Sequence, residues 1–327
     1  TTSVNFYQLC LAAIHARPGR KTIITDAANF PTDRYILDGI AKQFGLKLVI
    51  IDNEDPAIAK HERITTEVLA PYLNDDVAMV TLEVIQYRSG ARTDLKSITD
   101  QVRAIGALVV WDASHAVGAI ELNLDANGVD LCVGCTYKYG NSGPGSPAWL
   151  YVSKRVQSEL QVPIQGWFAQ DAQFEMGPVF ERSQTIRGFQ IASPSLMGIR
   201  CVQTAFSMIK EAGIDAIAHK AAVGTQMMIE LYDAWLAPLG IELNTSRNAK
   251  ERGGHISLVH PDAAQICVAM RTISNVIPDY RTPNSIRLAI SPLPTSYVEI
   301  WDGFERMRDL VASGRYKEAA EGGSRVT

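Results

Sequence analysis

The run WDASHAVGAIELNLDANGVDLCVGCTYKYGNSGPGSPAWLYV, residues 111–152, decides how this chain is read. It opens on the last two residues of an apolar stretch, ALVVWD, that ends in Asp112. A second apolar stretch, LCVGC, leads into TYKYG and then a Gly/Pro-rich loop. In open α/β sheets, ligands bind beyond the carboxyl ends of the strands. Asp112 therefore stands where a binding carboxylate belongs, although an acid there also suits the cap of a following helix. Lys138, between Tyr137 and Tyr139, is an unusual setting for a solvated lysine. A partly buried amine loses some of its affinity for a proton and becomes a usable nucleophile. The plainer alternative is a lysine that extends its ammonium to water from a strand end.

Outward from this run the same grammar repeats. Strand-like segments fall at residues 21–25 (KTIIT), 46–52 (LKLVIID), 76–83 (DVAMVTLE), 107–112, 131–135 and 148–152. Helical patterns lie between them at residues 32–44, 64–73 and 94–105, and the chain begins on a helical pattern, TTSVNFYQLCLAAIHAR. Val/Ile/Leu-rich strands alternating with helices predict a mainly parallel sheet covered on both faces. Beyond residue 194 the character changes to a long helical stretch to residue 239, interrupted near Gly213. Segments at 256–260 and 264–271, a strand-like segment at 286–290 and a final helix at 297–312 follow. The expected division is a large α/β domain over residues 1–190, then a linking helix and a small α+β domain over 191–327.

Composition narrows the function classes. The 327 residues are 46% hydrophobic and 20% charged, with a formal net charge of -4. No basic stripe appears, which argues against nucleic acid or an anionic membrane as partner. No apolar run is long enough to span a bilayer. Five scattered cysteines suit a reducing cytoplasm. Cys132 and Cys135 form a CxxC, but no second pair or histidine cluster accompanies it, so buried small side chains are the simpler reading and no metal is expected.

Asp112 and Lys138 gain meaning together. A strand ending in Asp, followed by a strand leading to Lys, offers a carboxylate for a pyridine nitrogen and an amine for an aldehyde. Those are the two groups that pyridoxal 5'-phosphate requires. NFPTD (residues 29–33), DASHAVG (112–118), GVDLCVGCTYKY (128–139), GPGSPA (143–148), GWF (166–168) and IRLAISPLPTSY (286–297) resemble, in order, the signatures of the kynureninases. The resemblance implies the fold of pyridoxal-phosphate enzymes of type I, with a seven-stranded type of sheet. It implies a cytoplasmic homodimer of tryptophan catabolism and NAD biosynthesis. The implied reaction is hydrolysis of kynurenine, or its 3-hydroxy form, to anthranilate or 3-hydroxyanthranilate and alanine.

By the same resemblance, Thr2 and Ser3 receive the cofactor phosphate, with Tyr137 and Trp167 as further phosphate contacts, Trp167 partly from a neighbouring subunit. Phe30 stacks on the pyridine ring, and Asp33, Asp112, His115 and Ser193 face the cofactor. Lys138 carries it as a Schiff base, Tyr137 is a proton donor, and Arg287 grips the substrate α-carboxylate. Three positions depart from the family's pattern: Gln170 replaces a histidine, Ser193 a Thr or Asn, and Glu83 a Ser or Thr. A family segment ahead of TTSVN is also missing from this sequence. An aminotransferase of class V or a β-lyase on the same fold would use Lys138, Asp112 and Arg287 equally well. A relative that binds the cofactor without catalysis is a further alternative.

Overall fold

The computed structural model describes residues 1–319; the end of the expected C-terminal region, residues 320–327, lies outside the described residues. The chain divides into two compact units. The first comprises Thr1–Val84, Thr93–Val117 and Leu122–Met208; the second comprises Ile85–Arg92, Gly118–Glu121 and the chain from Ile209 onward.

In the first unit, six strands form one sheet: β1 (Thr22–Asp26), β2 (Lys47–Ile51), β3 (Val77–Glu83), β4 (Leu108–Asp112), β5 (Leu131–Gly134) and β6 (Trp149–Val152). Their order is β2-β1-β3-β4-β5-β6. All neighbours are parallel except β5 and β6. This is the mainly parallel sheet that the alternating pattern predicts. It has six strands among the described residues, where the resemblance implied a seven-stranded type, because no further described segment pairs with the outer edge of β2 or β6.

The strands at the centre are buried on both faces, as crossover helices demand. Every residue of β1, β3 and β4 is buried. Helix α1 (Thr2–His15) covers one face with α2 (Pro31–Phe44). Phe6 and Leu9 of α1 and Leu37 and Ile40 of α2 share a core with Met79, Leu108, Val110 and Val133. Each such side chain contributes about 1.5–3 kcal/mol relative to exposure. Trp111, whose side chain alternates to the opposite face, donates its indole N–H to Thr99 of α4 (Leu95–Ala104) at 3.1 Å. The short α3 (Thr66–Leu69) is followed at once by a 3-10 turn, Ala70–Tyr72, so residues 64–73 do not form the continuous helix expected from sequence. Pro71 removes an N–H and closes the α-helix off.

Helix α5 (Leu196–Ala212) ends before Gly213, whose φ of 81° lets the chain turn and start α6 (Ile214–Leu231). In the second unit, α6 packs with α7 (Ala263–Thr272) and α8 (Tyr297–Ala312) around a four-stranded antiparallel sheet. That sheet has the order β7-β8-β10-β9, from β7 (Glu242–Leu243), β8 (His255–Val259), β9 (Asp279–Arg281) and β10 (Ser285–Ala289). Ser296 starts α8 with a reciprocal cap: its hydroxyl accepts from Glu299 N–H, and the Glu299 carboxylate accepts from Ser296 N–H. No helix among the described residues is long and apolar enough to cross a membrane.

Candidate active site

Three adjacent parallel strands of the first unit finish in acids: β1 at Asp26, β3 at Glu83 and β4 at Asp112. Glu83 and Asp112 are register partners. A pocket opens at this carboxyl edge, lined by Thr1, Thr2, Ser3, Phe30, Thr32, Asp33, Glu83, Asp112, Ser114, Tyr137 and Lys138. Segments distant in sequence meet here because parallel strands place all their C-terminal loops at one edge.

Each loop is fixed locally. Thr1 caps α1, its hydroxyl accepting from Val4 N–H at 3.3 Å. The first-turn N–H groups and the helix dipole make that terminus a receptor for anions. Phe30 precedes Pro31 at the start of α2, which puts Asp33 in the first turn. The Asp112 carboxylate accepts from Ser114 N–H at 2.5 Å, a turn typical of Asx residues. Ser114 Oγ in turn accepts from Cys135 N–H at 3.3 Å, tying the loop after β4 to the loop that carries Lys138. That second loop is itself a tight turn, with Asn141 N–H bonded to Lys138 C=O at 3.0 Å and Ser142 N–H to Thr136 C=O at 3.2 Å. A Cβ placed on Gly140 would sit 2.3 Å from the Thr136 carbonyl oxygen.

The Lys138 amine lies 3.0 Å from His115 Nε2 and 5.6 Å from the centre of the Phe30 ring. His115 and Glu83 are both buried, with His115 Nδ1 4.0 Å from Glu83 Oε1. Burial, followed by the charge and hydrogen bond of Asp112, holds the Asp33 carboxyl well above the ordinary carboxylate range; Lys138 offsets part of this. The other Asp33 oxygen, Oδ2, is buried without a hydrogen-bond partner among the described residues.

The remaining sequence-derived candidates lie elsewhere. Trp167 is exposed in an irregular segment, edge-on to Phe168 at 4.7 Å and to Phe174 at 6.1 Å. Ser193 is exposed in the same irregular region. Neither lines the pocket. Gln170 closes a loop: its Oε1 accepts from Glu181 N–H at 2.7 Å. In the second unit, Arg287 of β10 faces Asp279 of β9, donating through Nε at 3.1 Å, and also donates to Tyr87 C=O at 2.6 Å. Burial alone would raise the Asp279 carboxyl, but Arg287, helped by Arg281 and Arg271, holds it below its ordinary range. Cys132 and Cys135 are buried thiols, with no disulfide. Thr1, Thr32 and Ser114 line the pocket without having been singled out in the sequence. Their signals were local: a hydroxyl before a helix, one in the first turn of α2, and one two residues beyond a strand-ending Asp.

Solved structures share this fold. An apo cysteine desulfurase from Thermococcus onnurineus NA1 superposes with a TM-score of 0.78 at 17% identity, covering 95% of this chain and 78% of that one. A C-DES mutant with glycine covalently linked to its PLP cofactor gives 0.76 at 15% identity, covering 97% and 80%. The fold is therefore that of the pyridoxal-phosphate-dependent enzymes of type I. The family model for the kynureninase C-terminal domain matches residues 217–307. Kynureninase of Burkholderia pseudomallei (strain K96243) is 34% identical over 316 residues, 95% of this chain and 73% of the relative. Kynureninase of Pseudomonas fluorescens is 31% identical over 325 residues, 98% of this chain and 75% of the relative. The chain belongs to the kynureninase family.

Proposed function

We propose that this chain hydrolyses kynurenine, or 3-hydroxykynurenine, to the corresponding anthranilate and L-alanine, with pyridoxal 5'-phosphate bound at Lys138. The observation that carries the reading is the convergence of an amine, a buried pair of carboxyls and a helix N-terminus on one pocket. The donor set fits the cofactor. The start of α1, with Thr2 and Ser3, offers N–H groups and hydroxyls to a phosphate. The unpartnered oxygen of Asp33 is suited to a group that brings its own hydrogen-bond donor.

When bound, the cofactor supplies an aldehyde for amines and a cationic ring that withdraws electrons from the substrate α-carbon. The residues do the rest. Phe30 would supply a flat apolar face to the cofactor ring, and Asp112 would pair with its ring nitrogen and hold the proton there. Asp33, whose carboxyl is raised by burial and by the neighbouring Asp112 charge, gives up its proton less readily than an exposed acid would. His115 contacts the Lys138 amine. Lys138 would hold the cofactor through its amine, and as a free amine it would be the base that takes the substrate α-proton. Tyr137, half-exposed on the pocket lining, would return a proton late in the cycle and would contact the phosphate. Arg287 receives the substrate α-carboxylate, for which a guanidinium fork is suited. Trp167 and Ser193 complete the cofactor surroundings, Trp167 from a second subunit of a homodimer. Tryptophan catabolism in the cytoplasm is the setting that agrees with this chemistry.

The test is incubation of the protein with pyridoxal 5'-phosphate and L-kynurenine. Anthranilate fluorescence accompanied by equimolar alanine is expected. Formation of an oxo acid in place of alanine would replace hydrolysis by transamination.

A further inference from the structure

We infer that Glu83 is a positioning residue that acts through His115 on the Lys138 amine. Glu83 closes β3 beside Asp112 and is 1% exposed; His115 is 5% exposed. One ring nitrogen, Nε2, is 3.0 Å from Lys138 Nζ, and the other, Nδ1, is 4.0 Å from Glu83 Oε1. The imidazole thus stands between an acid and the lysine that the proposed function depends on, and the inference rests on that function only for its catalytic consequence.

The tautomer follows from donor rules. An ammonium has hydrogens to give and no lone pair, so a protonated Lys138 needs an unprotonated Nε2. The ring proton must then sit on Nδ1, the side that faces Glu83. A carboxylate at that distance favours Nδ1–H over a lone pair, and it favours the doubly protonated ring even more. Glu83 therefore makes the unprotonated Nε2 a stronger base toward a proton that the lysine releases. As the Lys138 N–H bond breaks, the proton moves to Nε2, the nitrogen keeps the electron pair, and the positive charge on the ring is met by Glu83. Lys138 becomes the neutral amine, the form that attacks an aldehyde or removes a proton from carbon.

The other titratable groups lining the pocket are Asp33, Asp112 and Tyr137. Burial and the Asp112 charge raise the Asp33 carboxyl, and Asp112 is turned toward Asp33 and Ser114 N–H. Glu83 is thus the acid placed on the Nδ1 side of the ring.

The experiment begins with the cofactor-free protein, labelled with 15N-histidine. In the wild type, neutral His115 is expected in the Nδ1–H form; the Nε2–H form would overturn the inference without any variant being needed. In Glu83→Gln the His115 titration midpoint is expected to fall by about one pH unit, with partial return in Glu83→Asp; an unmoved midpoint would overturn it. With cofactor and kynurenine, Glu83→Gln should lower kcat about tenfold while borohydride still labels Lys138 fully. In a His115→Gln background the same change should cost little, since coupled residues are not additive; equal losses in both backgrounds count against the inference. Absence of any label on wild-type Lys138 would instead remove the proposed function, leaving the histidine titration to stand alone.

Discussion

Asp33 and Asp112 bring two carboxyl groups together in one buried pocket, and the Asp33 carboxyl is held well above its ordinary range as a result. Burial is the largest cause and the neighbouring negative charge the next. In the cofactor-free protein the consequence for stability has a definite sign. An unfolded Asp titrates near about 3.9, so between that pH and the raised folded value the native state binds more protons. Stability from this group is complete below about pH 4 and is lost as pH rises through the folded value. Asp33→Asn imitates the protonated form. Thermal unfolding of the cofactor-free variant should show a gain over wild type that grows as pH rises above about 4. A gain that does not change with pH would contradict the assignment.

Lys138→Ala tests the proposed attachment directly. Borohydride treatment of wild-type protein loaded with pyridoxal phosphate should yield a phosphopyridoxyl label on the peptide that contains Lys138, read by mass spectrometry. The variant should give no such label and no turnover of kynurenine. Near-normal turnover in the variant would dismiss Lys138 as the anchor.

Gly140 is where the lysine-bearing turn has least room. Any Cβ there would approach the Thr136 carbonyl oxygen far inside contact distance, and backbone cannot move aside as a flexible side chain can. Gly140→Ala should destabilise the protein by about 1–3 kcal/mol, measured by urea unfolding. The same variant should bind pyridoxal phosphate more weakly, because the turn that would relax is the one that presents Lys138.

Asp279 holds Arg287 in the second unit, and its carboxyl lies below the ordinary range. A depressed carboxylate contributes stability above its unfolded pKa, and that contribution is lost as pH falls through the folded value. Asp279→Asn should therefore cost about 1–3 kcal/mol at pH 7, and the cost should shrink as pH is lowered toward about 3. Urea titrations at the two pH values check both statements.

The large sheet could be read from the sequence because its central strands are covered on both faces. VAMVTLE in β3 and LVVWD in β4 are runs of apolar residues with no alternation, and both are wholly buried. The two short strands β7 and β9 escaped notice for a physical reason. EL and DYR are too brief to display a period, and their pairing comes from neighbours brought in by the fold. Within the site, Asp112 and Lys138 were legible as strand-end chemistry. The alignment of Glu83, His115 and Lys138 was not. It depends on the β3–β4 register and on the turn after Asp112, neither of which leaves a local signature.

The loop Ile85–Arg92 lies between stretches of the first unit in sequence, yet it belongs to the second. There Thr245 Oγ1 donates to Ser89 C=O at 2.6 Å, Gly253 N–H to Gly90 C=O at 2.9 Å, and Arg287 to Tyr87 C=O at 2.6 Å. Gly90 has a φ of 75°, and a Cβ there would stand 2.6 Å from the His255 carbonyl oxygen. A gene cut after Met208 consequently yields no independent halves: the downstream piece lacks the stitch that fastens β8 and β10, and the upstream piece carries it unmatched. Separately expressed fragments should aggregate or stay unfolded, whereas the two produced together should recombine by complementation.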